Sequence, residues 1–587
     1  MGVRREECGE RSEEWGVGFI IYHLSFNIRA KRVIFAYMKR VLWVLLAAVW
    51  AVGGLACTNL IVGRGASVDG SVFVSYSADS YGCCGVMRYY PRGLHAEGEV
   101  FEVYDWESNR YRGAIPQVAE TYNVVGNVNE WGLCLAETTF GGREELVDTS
   151  GIMDYGSLIY LALQRARTAR EAIGVIADLV ESYGYGSEGE SFSIADKEEA
   201  WIMEMVGKAG RERGAVWVAV RIPDDCISAH ANQARIHRFS QYGADDCLYS
   251  PDVVSFARRM GLYEGSDEDF DFAATYCPLD FSGARICEGR VWSFFSRYAD
   301  GMEGYLSYAM GEDLGAEPMP LYVKPKQRLS LGDVESSMRD HFEGTPMEMA
   351  QDGGSGLYGM PYRVTPLTFE VDGVEYFNER PISTQQASFV FVAQLRGSVA
   401  SELSSVIWWG HDDGNMVPFT PVYGCASRIP ECYSDRYGDD VSFSLNSAFW
   451  VQNWVSNMVY PRYSLMFGDL QELRDRLDST YQADQAAIEA EALRLRSEEG
   501  GESAVAFLTD YGVGVAEEML EAWTALGWRL VVKYNDFIVH PERDGVFVRT
   551  AEGRGATVLR PGMSESVKRR IVEETGERYK CPVGNGK

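Results

Sequence analysis

The sequence lacks most of the signatures that tie a chain to a known chemistry. No HExxH helix and no paired CxxC cluster offers a zinc ligand set. No GxxxxGK[ST] loop cradles a phosphate, and no GxSxG elbow seats a serine nucleophile. Histidine is scarce, with seven in 587 residues, and His230 and His237 are not at metal-ligand spacing for one helical face. Basic residues are outnumbered, 55 against 85 acidic, and the net charge of −30 argues against a nucleic-acid partner. Long apolar runs are missing too. The run at 41–56 is shorter than the ~20 residues of a spanning helix, and no other run is long enough to cross a bilayer. No internal repeat divides the chain.

What remains is a folded, aromatic-rich globular chain, 46% apolar and 12% aromatic. Its uncharged run 41–56, "VLWVLLAAVWAVGGLA", follows Met38 to Arg40 and stops at Cys57. A basic segment, an apolar segment and small residues before a break describe an export signal. Met38 is therefore the expected start, 1–37 an over-extended N-terminus and 38–56 a signal segment, and the product is exported, periplasmic or extracellular. Setting Cys8 aside, eleven of the twelve cysteines lie from Cys57 onward, and Cys425 and Cys432 could pair across "CASRIPEC".

The periodicity changes along the chain. "TNLIV" and "VFVSYS" read as strands joined through an Asp-Gly turn. Gln117 to Gly142 reads as further strands around a polar turn, Asn127 to Trp131. "DYGSLIYLALQRA" has helical spacing, and Thr168 with Glu171 opens a second helix in capping-box spacing. "SFSIAD", "AWIMEMV" and "AVWVAVRI" form an antiparallel meander. "SFVFVAQLRG" and "SSVIWWG" add later strands. A long charged helix beginning near Asp469 reads as a surface element ending at Gly500–Gly501, and "AEEMLEAWTALGWRLVVKYND" as a helix running into a strand. Strands, a helix pair and more strands predict an α+β architecture with helices layered on antiparallel sheets.

Cys57 carries the chemistry, and three roles compete for it. A cut before it would create a residue holding both a thiol and a free α-amine. Their ordinary pKa values are about 8.5 and about 7.7–8.0, so the amine can serve as base for its own side chain without a histidine. A lipid anchor would use the same residue after a signal, but would block sulfur and amine together. A structural thiol is the third role.

"CTNLIVGRGASVDGSVFVSYSADS" resembles the start of the secreted C69 dipeptidases, of the N-terminal nucleophile hydrolase superfamily. "VVGNVNEWGLCLAETTFGGR", "SFSIADKEEAWIMEM", "ISAHANQARI" and "WWGHDDGNMVPFTPVYG" resemble the same family in its usual order. The resemblance implies a four-layer αββα sandwich, a catalytic domain over 57–433, and a helical and strand extension over 434–587 packed on the core. It implies a cysteine-type hydrolase of dipeptides or short peptides needing no cofactor, with its state of assembly left open. By the same resemblance Cys57 is the nucleophile, Asp79 orients its amine, and Asn129 and Asn232 stabilise the oxyanion. A substrate amino group would pair with Asp79 or Glu137. The family's Arg-Asn-Glu-Asp is here Tyr76-Ser77-Ala78-Asp79, so either another cation stands beside the thiol, Arg64 or Arg143 being the candidates, or the amine alone activates it. The same constellation also serves other amides, among them N-acyl amino acids, penicillins and conjugated bile acids, and a non-catalytic lipid-anchored binding protein is the rival outside the enzymes.

Overall fold

The computed structural model of the chain describes residues 57–582. The expected start and export segment lie outside the described residues, as does Cys8. The chain opens with strands β1 (Thr58–Val62), β2 (Val72–Asp79), β3 (Tyr89–Tyr90), β4 (Val124–Val125), β5 (Val128–Asn129) and β6 (Cys134–Gly141). Helices α1 (Tyr155–Arg165) and α2 (Ala169–Tyr183) follow, then β7 (Gly189–Ala195), β8 (Ala200–Gly207), β9 (Ala215–Ile222), β10 (Ile227–His230) and β11 (Cys247–Tyr249). After α3 (Gly289–Tyr298) come β12 (Tyr322–Val323), β13 (Ala387–Leu395), β14 (Ser405–His411) and β15 (Thr420–Tyr423). Helices α4 (Ala448–Val459), α5 (Tyr463–Glu498) and α6 (Gly501–Tyr534) complete the large elements.

One sheet runs β12-β10-β1-β2-β13-β14-β15 and the other β11-β9-β8-β7-β6-β5-β4-β3, with antiparallel neighbours throughout. Because side chains alternate along a strand, the second sheet feeds two cores. In β9, Val216, Val218 and Val220 join the large core shared with the first sheet, while Ala215 and Ala219 join the core under α1 and α2. On the far side of the first sheet α6 packs on β15 and α4 on β14. The fold is thus α+β, helices outside two facing antiparallel sheets.

Local signals position these layers. The Asp154 side chain accepts from Ser157 N at the start of α1, and Thr168 accepts from Glu171 N at the start of α2. The β1–β2 turn places Gly70 at φ +79°, a conformation that suits glycine, while Asp69 accepts from Ser71 N at 3.0 Å. Two expectations need correction at the C-terminal end. The long helix α5 starts at Tyr463 and is not only a surface element, since Met466, Leu470, Leu477 and Tyr481 bury one stripe against the core. The "LVVKY" segment stays helical to Tyr534, because Trp523, Leu526, Leu530 and Tyr534 are buried at helical spacing and bind it to that period. Cys425 and Cys432 are both free, as are the other described cysteines. Among the described residues no helix is long and apolar enough to cross a membrane.

Candidate active site

Cys57 stands at the head of β1, and the register Thr58↔Ser77 sets it beside the end of β2. It is 1% exposed. Its Sγ lies 3.5 Å from Glu137 Oε1 and 3.7 Å from the Tyr76 hydroxyl, and the Asp79 backbone hydrogen-bonds it. Tyr76 donates to the same Glu137 oxygen, with its ring held edge-on by Phe389 and Phe391 at 5.5 and 5.7 Å. Burial drives the thiol pKa well above its ordinary value, and the Glu137 and Asp79 charges push it the same way. The sulfur is therefore a neutral thiol until a base takes its proton.

Arg290, fully buried on α3, ties this strand end down. Its Nη1 donates to the Cys57 carbonyl and to Thr58 Oγ1, both at 2.7 Å, and its Nη2 to the Ala231 carbonyl and Asn232 Oδ1, both at 2.9 Å. Asn232 sits at φ +68° and donates from Nδ2 to the Thr139 carbonyl at 2.6 Å. Burial lowers the Arg290 pKa to about 10, still a cation at neutral pH. Asp79 is wholly buried between Arg380, whose Nη2 donates to it at 2.5 Å, and the Ser77 hydroxyl. Burial lifts its pKa to about 6 against the opposing pull of Arg380.

On the other side of the sulfur stands a pair of carboxyl groups. Glu137 and Glu190 are 1% and 0% exposed, and Glu190 Oε2 accepts from Thr139 Oγ1 at 3.0 Å. The two side chains hydrogen-bond each other, and Glu137 Oε2 and Glu190 Oε1 take no bond from any other side chain. Burial first, and the neighbouring Glu137 charge next, raise the Glu190 pKa well above the carboxylate range; burial raises Glu137 as well.

Cys57, Asp79 and Asn232 are brought together, directly or through Arg290. Asn129 is not. It donates to the Leu163 and Ala166 carbonyls at 2.8 and 2.9 Å and accepts from Trp131 N and Leu133 N. Those four bonds use the whole amide, so the oxyanion donor expected of Asn129 has no hydrogen left to give. The cation sought beside the thiol is neither Arg64, which pairs with Asp224 and Glu198 at the surface, nor Arg143, which pairs with Glu145 and donates to the Thr275 carbonyl. Tyr76, on the thiol, leads instead to an acid. His230 bonds Thr138 and Ser193, and burial takes its pKa down to about 3. No described histidine hydrogen-bonds Cys57.

Arg290, Arg380 and Glu190 escaped the sequence reading. One signal was available for two of them. Arg290 immediately precedes the apolar "VWSFF" run of α3 and is buried with it, and Glu190 precedes "SFSIA" at the mouth of a wholly buried strand.

The model of "Peptidase family C69" matches residues 56–97 and 97–476. A probable dipeptidase of Salmonella dublin is 27% identical over 313 residues, 50% of this chain and 67% of its own. A probable dipeptidase of Latilactobacillus sakei is 24% identical over 502 residues, and probable dipeptidase B of Lactococcus lactis is 25% identical over 501. Each of these alignments covers 81% of this chain and 95% of the relative. With a buried cysteine heading the first strand of two facing sheets, and a family match across most of the described residues, the chain belongs to peptidase family C69.

Proposed function

We propose that this protein is an exported dipeptidase that uses Cys57, freed as an N-terminal residue, as its nucleophile. The observation that carries the reading is the surroundings of the sulfur: buried, flanked by carboxylates and without a histidine partner. A thiol so placed needs a base supplied from within reach. Cleavage of the Ala56–Cys57 peptide bond creates one on the same residue, an amine of pKa about 7.7–8.0. The amine takes the thiol proton and the thiolate attacks the scissile carbonyl. Asn232 Nδ2, released toward the developing negative charge, stabilises the oxyanion. The tetrahedral adduct collapses, and the ammonium returns its proton to the departing amine. Water then repeats the sequence on the thioester, releasing the acid and restoring the thiol. Arg290 fixes the Cys57 carbonyl and Asn232 together, so nucleophile and oxyanion donor share one anchor. What supports export is the uncharged segment 41–56 behind Met38 to Arg40.

A panel of free dipeptides, tripeptides, N-acyl amino acids and a penicillin, offered to the chain beginning at Cys57 and to its Cys57→Ala variant, tests the reading. Dipeptides cleaved by the first and not by the second are expected. Cleavage of the acyl amides in preference to dipeptides would reassign the substrate. Cleavage of nothing by either would leave a binding protein.

A further inference from the structure

Two oxygens beside the nucleophile stand in an unusual condition. Glu137 and Glu190 are buried and hydrogen-bond each other, and Glu137 Oε2 and Glu190 Oε1 take no bond from any other side chain. Among the described residues, no Lys, Arg or His forms an ion pair with either side chain. A buried acid pair held together by a shared proton, with no cation beside it, is costly unless something else supplies positive charge. Their location indicates what that is, because Glu137 Oε1 lies 3.5 Å from Cys57 Sγ.

We propose that the Glu137–Glu190 pair is the subsite for the substrate's free α-ammonium group, fixing cleavage after the first residue. This rests on the hydrolase reading above and specifies its substrate. In any amino acid the α-nitrogen is about 2.5 Å from its own carbonyl carbon, from bonds of ~1.46 and ~1.52 Å at ~111°. A sulfur in attack position stands about 3–3.5 Å from that carbon. The ammonium of a one-residue acyl group therefore falls within charge-assisted hydrogen-bond reach, ~2.8 Å, of a carboxylate that touches the sulfur. Each further residue on the acyl side moves the amino terminus ~3.5 Å away, out of the pair's reach. An ammonium brings a positive charge and three donors, enough to replace the shared proton and bond both carboxylates. An N-acylated substrate brings one neutral amide N–H and leaves the pair's charge without a counterpart. Asp79, the other candidate for this task, is already occupied by Arg380 and Ser77.

The test uses the chain beginning at Cys57, its Glu190→Gln variant, and one dipeptide in free and N-acetyl forms. Glu190 does not hydrogen-bond the sulfur, so its variant separates binding from chemistry better than Glu137→Gln. The parent is expected to prefer the free dipeptide by about 100-fold in kcat/KM. Glu190→Gln should raise KM for the free form about tenfold or more, keep kcat within a few-fold, and leave the N-acetyl form unchanged. Equal cleavage of both forms by the parent, or an unchanged KM in Glu190→Gln, overturns the proposal while the hydrolase stands. If the parent cleaves nothing, the hydrolase reading has failed. Calorimetry of both dipeptide forms on Cys57→Ala then decides the subsite separately. Free dipeptide binding at least tenfold tighter supports it, and equal binding overturns it.

Discussion

Two buried carboxylate sites flank the same sulfur and differ in one respect. Asp79, on the β2 side, has a guanidinium and a hydroxyl for partners, and its pKa settles near 6. Glu137 and Glu190, on the second sheet, face each other without a cation, and burial with mutual repulsion drives Glu190 far higher. The first site is complete within the chain and holds the end of the nucleophile's hairpin in place. The second is incomplete, and its deficit is one positive charge. Burial alone does not distinguish a structural acid from a receptive one; the count of partners does.

The comparison can be tested from its centre outward. Both sites matter only if Cys57 does, so Cys57→Ala should lower kcat/KM by at least about 10⁴-fold, measured on a free dipeptide. Removing the partner from the complete site comes next. Arg380→Met leaves Asp79 buried and unpaired and should cost about 3–5 kcal/mol in urea unfolding. Pairing it with Asp79→Asn should recover much of that loss, which an unrelated packing defect would not allow. Asn129→Ala removes four hydrogen bonds, two at the end of α1 and two in the turn after β5, and should cost about 2–3 kcal/mol. If Asn129 is structural, kcat/KM per folded molecule stays within about threefold; a loss of about 100-fold would return it to the oxyanion.

The incomplete site should respond in the opposite direction. Glu190→Gln is expected to stabilise the protein by about 1–2 kcal/mol at neutral pH. The sign follows from the raised native pKa. Native Glu190 keeps its proton at pH values where the unfolded chain has lost its own, so its contribution is whole below about pH 4.3 and fades as pH rises toward the native value. The gain from Glu190→Gln should thus be small near pH 4 and grow toward pH 7, as unfolding at several pH values will record. A stability loss at neutral pH would mean that the Glu190 bonds to Thr139 and Glu137 outweigh the cost of burying it.

The sheet framework was legible because its signals are local. β1 coincides with "TNLIV", and the meander and capped helix pair follow from period and N-cap spacing. The extents of α5 and α6 were not, because their charged or β-branched stretches are settled by which stripe meets the sheet. Cys57 was legible from its place after the apolar run. Arg290 and Arg380 were not, since they reach Cys57 and Asp79 across 233 and 301 residues. Tyr76 could be read as a departure from the family pattern. Its consequence, a sulfur set among acids, needed Glu137 brought in from the other sheet.

The central claim is that Cys57 works as a free N-terminal residue. The intact mass of the active protein recovered from its native host, before and after thiol alkylation, tests it most directly. A chain beginning at Cys57, with an unmodified amine and a thiol there that alkylation blocks together with activity, is the predicted result. An active protein that keeps residues ahead of Cys57, or one whose Cys57 carries acyl groups, would contradict it.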